Sequence, residues 1–144
     1  MNVSASLSKN PSRHGRMTLL VLLLYAGLAL LITWPALANL TTHLIGGRND
    51  LWTHQWTFWW VKEALAAGRS PFYTDMLYAP LGAPLFSHNF AWLNIALWLP
   101  LQAIVGDIAA YNITILLILL LNGFSMYLLA RELMPRRFAA LWPV

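Results

Sequence analysis

Two long apolar stretches without a charged side chain constrain this sequence most. One extends from Met17 to Gly47 and the other from Ile108 to Ala130, and neither contains Asp, Glu, Lys or Arg. A helix needs about 20 apolar residues to cross a hydrocarbon core roughly 30 Å thick, so both stretches are long enough. Only 10% of the residues are charged, against about 25% in an average soluble domain. The sequence therefore predicts an all-α integral membrane protein with transmembrane helices over 17–38 and 109–130.

The charged residues indicate how these helices are oriented. Between the two spans, three basic and four acidic side chains give a formal charge of −1, whereas both ends of the chain are basic. Basic flanks of apolar segments are typical of cytoplasmic ends. We therefore predict a disordered cytoplasmic tail over 1–16, a cytoplasmic end over 131–144 and an extracytoplasmic loop between the spans. The net charge of +4 is explained by topology, so no nucleic-acid partner is expected.

A cleaved signal peptide is an alternative interpretation of the N-terminus. The sequence Ala36-Leu37-Ala38 has the small-residue spacing of a cleavage site, after a basic and an apolar region. The apolar region is long for a signal peptide, and Pro35 lies within the site. Retention as a transmembrane helix is the favoured prediction.

The extracytoplasmic loop, residues 39–89, contains one segment with helical character, residues 50–67. Asp50 suits the positive end of a helix dipole. Trp52, Trp56, Trp59 and Trp60 recur at spacings of three or four residues, so most of them can share one face. A helix of this kind lies well in the interface between membrane and water. We therefore predict an interfacial amphipathic helix, followed by a structured loop rich in proline.

Residues 90–105 leave the number of spans open at two or three. The segment is apolar, but at about 1.5 Å per residue it reaches only about 24 Å, and it contains Pro100. If it is interfacial or re-entrant, both basic ends lie on the same side of the membrane. If it spans, they lie on opposite sides. The charge distribution and the short length favour two spans.

The last predicted span carries a group of polar and small side chains. Such residues in a membrane helix usually mark a contact with another helix. The chain has few helices of its own to fill this contact, so we expect further transmembrane helices or a membrane partner protein. The group consists of Asn112, Asn122, Gly123 and Ser125.

The side chains that could carry chemistry lie mainly in the central loop. There is no cysteine, and no dinucleotide, phosphate-loop, zinc-protease or serine-hydrolase motif. Acid–base or metal chemistry would therefore depend on Asp50, His54, Asp75 and His88, with His43 a weaker candidate. Asp50 and His54 are four residues apart and share one side of a helix. Arg48 could bind a phosphate or a lipid headgroup. Each of these residues also has a structural explanation: a helix cap for Asp50, a solvated loop for His54, a turn for Asp75 and the start of the following helix for His88.

The order of these features resembles the N-terminal part of bacterial multispanning glycosyltransferases of the GT-C type. The resemblance covers roughly residues 17–137. It rests on a first span ending in TWPALANL, a run with the pattern D-x-x-x-x-x-W-x-x-W-W, a Y-x-P-x-G loop, and a last helix that opens with Tyr-Asn and ends in Leu-Leu-Ala-Arg.

This resemblance implies transfer of a sugar from a polyprenyl-phosphate donor at the outer face of the bacterial inner membrane. In such enzymes an acidic residue just after the first span acts as base or metal ligand, and Asp50 has that position. Arg48, His54, Asp75 and His88 would then bind substrate, and a divalent metal is one option for Asp50. These enzymes have eight or more spans, so the chain alone is expected to be incomplete as an enzyme. The alternative is a small non-catalytic membrane subunit of a larger complex.

Overall fold

A computed structural model describes residues 11–47 and 50–134 of the chain. The predictions for residues 1–10, Arg48 and residues 135–144 lie outside this described part. The structure is mostly helical, as predicted. Its elements are α1 (Pro11–Ile32), α2 (Trp34–Leu37), α3 (Asp50–Ala66), β1 (Tyr73–Thr74), β2 (Ala83–Pro84), α4 (Trp92–Val105) and α5 (Asp107–Leu133).

The chain divides into two compact units. The first contains α1 and the part of α5 from Leu119, and the second contains residues Thr33–Ile118. Helix α5 contributes to both.

Helices α1 and α5 are long and apolar enough to span a membrane. The segment Gly15–Ile32 has a mean hydropathy of 2.1 and the most apolar 18-residue stretch of Asp107–Leu133 one of 2.2, and almost none of either stretch is buried inside the protein. At about 1.5 Å per residue, α1 is about 33 Å long and α5 about 40 Å. Helix α4 is also apolar, but with 14 residues it reaches only about 21 Å.

Helix α1 differs from the predicted first span at both ends. It begins at Pro11, so residues 11–16 are helical and their assignment to a disordered tail is wrong. Proline is favoured at the first helical position, because its missing N–H would have no partner there. The helix ends at Ile32, and a single turn, α2, follows after Thr33. Pro35 cannot donate a hydrogen bond to the carbonyl of Leu31, which accounts for the break.

Within the first unit, α1 and α5 approach closely at Gly123. A Cβ added to Gly123 would overlap the ring of Tyr25, so only glycine allows this approach. Gly123 therefore does mark a helix–helix contact, and the partner is α1 of the same chain.

The core of the second unit lies between α3, α4 and α5. Phe58 of α3 packs with its ring centroid 5.6 Å from that of Trp98 on α4 and 5.6 Å from that of Tyr111 on α5. Val61 and Ala64 continue this face of α3 and are fully buried. The buried face of α3 thus includes a second series of residues at helical spacing, Phe58, Val61 and Ala64, in addition to the tryptophan series noted in the sequence.

The bounds of α3 confirm the predicted helix to within one residue, but its predicted amphipathic character is wrong. Apolar side chains occur on all sides of α3. Trp60 is buried in the core, Trp56 and Trp59 are half-buried, and Trp52 is 66% exposed. The four tryptophans therefore do not form one lipid-facing stripe.

Residues 71–89 form an irregular segment, as predicted, closed by a small antiparallel hairpin. Strands β1 and β2 pair Tyr73 with Pro84 and Thr74 with Ala83. Gly82 has a φ of +73°, and a Cβ there would overlap the Tyr73 hydroxyl and the carbonyl oxygen of Thr74. Glycine is therefore required at this turn.

Asn112 joins α5 to the segment that follows α2. Its side chain is fully buried, with Oδ1 accepting from the Ile45 N–H at 2.8 Å. Its Nδ2 donates to the carbonyls of Leu40 and His43, both at 2.7 Å. Both N–H donors and one acceptor position of the amide are thus used inside the chain. The prediction that Asn112 faces another helix is wrong, because its partners are loop backbone groups.

Candidate functional site

Three polar side chains follow one side of α3. Asp50, His54 and Thr57 are separated by four and three residues, which places them along the same side of the helix. Asp50 is the first residue of α3 and is exposed, with its carboxylate at the positive end of the helix dipole. His54 is half-buried and Thr57 is fully buried. The line therefore leads from the surface into the protein.

Thr57 connects this line to His88. The Thr57 hydroxyl donates its one proton to the carbonyl of Thr53 at 2.7 Å, and its Oγ1 lies 2.6 Å from Nε2 of His88. With that proton on the carbonyl of Thr53, Oγ1 is assigned as the acceptor of the His88 Nε2 proton. This assignment leaves Nδ1 of neutral His88 as an acceptor. The imidazole is held further by edge contacts with Trp56 and Phe90, whose ring centroids lie 6.2 Å and 5.4 Å away.

His88 lines an open cavity of about 340 Å³, here called the His88 cavity. Trp52 and Trp56 form one side of it. Thr53 also lies on α3, while Leu77 and Leu85 belong to the hairpin segment. Apolar walls with a few polar groups are typical of small-molecule sites. The His88 cavity thus combines flat aromatic surface with an imidazole acceptor.

A second open cavity, of about 320 Å³, lies on the other side of the same two tryptophans and is called the Asp107 cavity. Trp59, Gln55 and Asp107 complete its lining. The side-chain oxygen Oε1 of Gln55 is buried and has no hydrogen-bond partner within the described residues. Buried acceptors are nearly always paired, so this oxygen is suited to a donor from a ligand or from water. Trp52 and Trp56 together form a ridge between the cavities, the Trp52–Trp56 ridge.

Lys62 lies beside the Asp107 cavity and ties three helices together. Its Nζ is 3.4 Å from Oε1 of Gln102 on α4 and 3.9 Å from the Asp107 carboxylate at the start of α5. Lys62 and Asp107 side chains are 32% and 49% exposed. A pair this open to solvent contributes at most about 1 kcal/mol. The main effect of Lys62 is to offset part of the negative charge of Asp107.

The structure brings only some of the predicted site residues together. His88 lines a cavity and shares a hydrogen bond with α3. Asp50 and His54 lie on the same side of α3 as Thr57 but line neither cavity. Asp75 lies on the surface 3.9 Å from Arg69 and is separate from the others. Arg48 is outside the described residues.

The described residues do not provide a metal centre. Among residues 11–47 and 50–134, no three His, Asp or Glu side chains are close enough to hold one ion. Asp50 is therefore not part of a three-donor group among the described residues.

Sequence reasoning did not identify Thr57, Gln55 or Asp107 as site residues. The sequence did offer a signal for Thr57 and Gln55, because both are polar residues between the tryptophans of α3. Asp107 is distant in sequence from α3, and only the fold brings it to the ridge.

Comparisons of the chain with protein-family models, with curated proteins and with solved structures gave no match.

Proposed function

We propose that this chain is an integral membrane protein of the bacterial inner membrane and the N-terminal module of a polyprenyl-phosphate-sugar-dependent glycosyltransferase. The observation that carries the proposal is the Trp52–Trp56 ridge, with an open cavity on each side. The two long apolar helices and the resemblance over residues 17–137 support the membrane location and the reaction class.

A sugar is the small molecule whose chemistry suits the ridge best. A pyranose ring has apolar C–H faces and hydroxyl groups around its edge. The faces match the flat indole surfaces of Trp52 and Trp56. Nδ1 of His88, on one side of the ridge, can accept a hydrogen bond from a sugar hydroxyl, and Oε1 of Gln55 and the Asp107 carboxylate can do so on the other. Cavities of roughly 300 Å³ are also the size of small-molecule sites.

Asp50 is the proposed catalytic residue, acting as a base. It takes the proton from an acceptor hydroxyl while that oxygen attacks the anomeric carbon of the sugar, and polyprenyl phosphate leaves with the bonding electron pair. Its exposed position at the end of the polar line supports access to an acceptor. His88 and His54 are proposed to bind the donor sugar, with Arg48 and Asp75 as further binding residues. No step is assigned to a metal.

The surface of α5 supports further helices packing on this module. Asn122 and Ser125 are exposed and lie on one side of α5, three residues apart. Polar groups on an apolar helix are satisfied best by another helix. This same observation supports the second candidate function, a non-catalytic membrane subunit, in which the ridge would bind no sugar.

One experiment on the reconstituted protein tests the proposal. Binding of a radiolabelled polyprenyl-phosphate hexose in nanodiscs is compared with that of sugar-free polyprenyl phosphate. Trp52→Ala should weaken binding of the sugar-bearing lipid about tenfold, equivalent to about 1.4 kcal/mol, and leave the sugar-free lipid unchanged. Trp34→Ala is the matched control, since Trp34 is 68% exposed and lines neither cavity.

The role of Asp50 is tested in the same series. Asp50→Asn keeps the size of the side chain but removes its charge, so it should leave donor binding intact. In membranes from cells that express the proposed full-length glycosyltransferase, Asp50→Asn should abolish release of polyprenyl phosphate. Equal binding of the two lipids to the unchanged protein would refute the sugar site and favour the subunit function. Normal turnover by Asp50→Asn would refute the catalytic assignment alone.

A further inference from the structure

We propose that the tip of the β1–β2 hairpin, residues 75–82, inserts into the lipid surface and forms the membrane-contacting part of the central segment. The inference rests on the proposed membrane location and does not depend on the sugar site. It assigns to the hairpin the role that the sequence suggested for α3.

The tip combines ordinary turn residues with large apolar ones. Asp75, Pro80 and Gly82 are typical of turns, whereas Met76, Leu77, Tyr78 and Leu81 are not. Tyr78 and Leu81 are each 83% exposed, and Met76 is 53% exposed. Leu31 and Ile32, at the end of the candidate span α1, are exposed to a similar degree, 70% and 74%. The most exposed side chains of the tip are thus at least as exposed as those at the end of a helix suited to lipid.

Charge is absent from this part of the sequence. No Asp, Glu, Lys or Arg occurs from Met76 to Gly106, and Asp75 at the base of the tip lies beside Arg69. Inserting residues 76–82 into lipid therefore requires no charged side chain to lose its water, and Asp75 remains at the base of the tip beside Arg69. Transfer of an exposed leucine side chain into an apolar phase is favourable, because it removes apolar surface from water.

The tip is held in one conformation by its own contacts. The Tyr73 hydroxyl donates to the carbonyl of Leu81, the Leu81 N–H donates to the carbonyl of Tyr78 at 3.0 Å, and Gly82 closes the turn. Little conformational entropy is lost when a fixed tip enters the interface.

Aromatic residues beside the tip fit the same surface. Phe86 is 79% exposed and stacks on Phe72 with ring centroids 5.8 Å apart. Trp92, 47% exposed, packs on Phe72 and on Phe90, with ring centroids 5.7 Å and 4.9 Å away. Exposed aromatic rings of this kind concentrate where membrane meets water.

The tip also borders the His88 cavity. Leu77 belongs to the tip and lines that cavity together with Trp52 and His88. Insertion of the tip would hold the cavity at the depth of the lipid headgroups. A sugar attached to a lipid phosphate lies at this depth, so the cavity would meet it without lifting the lipid chain out of the membrane.

The absence of cysteine from the chain allows a direct test. Single cysteines at Leu81, Ala67 and Leu129 are labelled with an environment-sensitive fluorophore in the full chain, reconstituted into phosphatidylglycerol and phosphatidylethanolamine vesicles. All three positions are exposed, so a label does not disturb the core. Leu129 lies in α5 and reports the span, and Ala67 follows α3 and serves as the water-facing control. Quenching by headgroup-proximal spin-labelled lipid is compared with quenching by aqueous iodide.

We expect the Leu81→Cys label to lose most of its fluorescence to spin-labelled lipid and to resist iodide, with the reverse at Ala67→Cys. Equal quenching at the two positions overturns the role of the tip. A blue-shifted label at Leu81→Cys that resists both quenchers also overturns it, because a protein surface then covers the tip. A Leu129→Cys label that lipid does not quench shows instead that the proposed membrane location has failed.

Discussion

At the scale of the single residue, Asn112 shows how a polar side chain can be placed within an apolar helix. Its three hydrogen bonds, all between 2.7 and 2.8 Å, fix the chain between Leu40 and Ile45. That chain leads to Asp50, so Asn112 also helps to determine where α3 begins. The residue is structural in this account, and its amide is unavailable to a partner protein.

Asn112→Ala should lower the free energy of unfolding by about 1–3 kcal/mol, because the Ile45 N–H and two carbonyls lose their partner. Asn122→Ala is the matched control, since it removes the same side chain from an exposed position of the same helix. Thermal unfolding in detergent, followed by circular dichroism, should show a lower midpoint for the first variant only. Identical midpoints would mean that the three bonds contribute nothing measurable.

The sequence indicated that Asn112 is special but not what it contacts. A polar residue in an apolar stretch predicts a buried partner, and helix packing was the general expectation. The actual partners are 67 to 72 residues away along the chain and are backbone groups, which have no sequence signature. His88 is similar, because its proximity to Thr57 depends on the fold of the intervening hairpin.

At the scale of the element, local signals determined where helices lie better than which faces they bury. Asp50 at one end and Gly68 after the other predicted α3 closely. The prediction of one interfacial tryptophan face was wrong, because Trp60 is buried together with Phe58, Val61 and Ala64, which follow an equally valid helical spacing. A hydrophobic pattern does not show which of two apolar faces is buried. Packing against the neighbouring helices determines the buried face. The β1–β2 hairpin has strands of two residues, too short for any periodicity to detect.

The contact between α1 and α5 provides a prediction at this scale. Gly→Ala in a helix interior usually stabilises by about 0.8–1.0 kcal/mol. We expect this gain for Gly27→Ala, since a Cβ there has no neighbour within 4 Å. Gly123→Ala should instead lower stability, because the new methyl group overlaps the Tyr25 ring.

A double variant separates this overlap from other effects. Replacing Tyr25 with Ala removes the ring, so adding Gly123→Ala in that background should recover the ordinary gain. The measurement is a double-mutant cycle of unfolding free energies in detergent. If Gly123→Ala is as stabilising as Gly27→Ala in the unchanged chain, the two helices do not pack at this glycine.

At the scale of the whole molecule, the lengths of the helices bear on how many times the chain crosses a membrane. Helices α1 and α5 exceed the roughly 30 Å of a hydrocarbon core, whereas α4, at about 21 Å, does not. Pro100 lies inside α4, and the helix continues through it, so length rather than a break limits this element. Gly106, with a φ of +82°, is the single residue between α4 and α5.

Two crossings place both basic ends on the cytoplasmic side and the hairpin outside. In a chain without native cysteine, a membrane-impermeant maleimide reports this directly on intact cells. We expect it to label Ser87→Cys at once, and to label Arg16→Cys and Arg137→Cys only after the membrane is permeabilised. Labelling of Arg137→Cys in intact cells would require a third crossing. Since α4 is the remaining apolar helix in the described residues, that crossing would fall to α4, and the bilayer would have to thin locally to match its length.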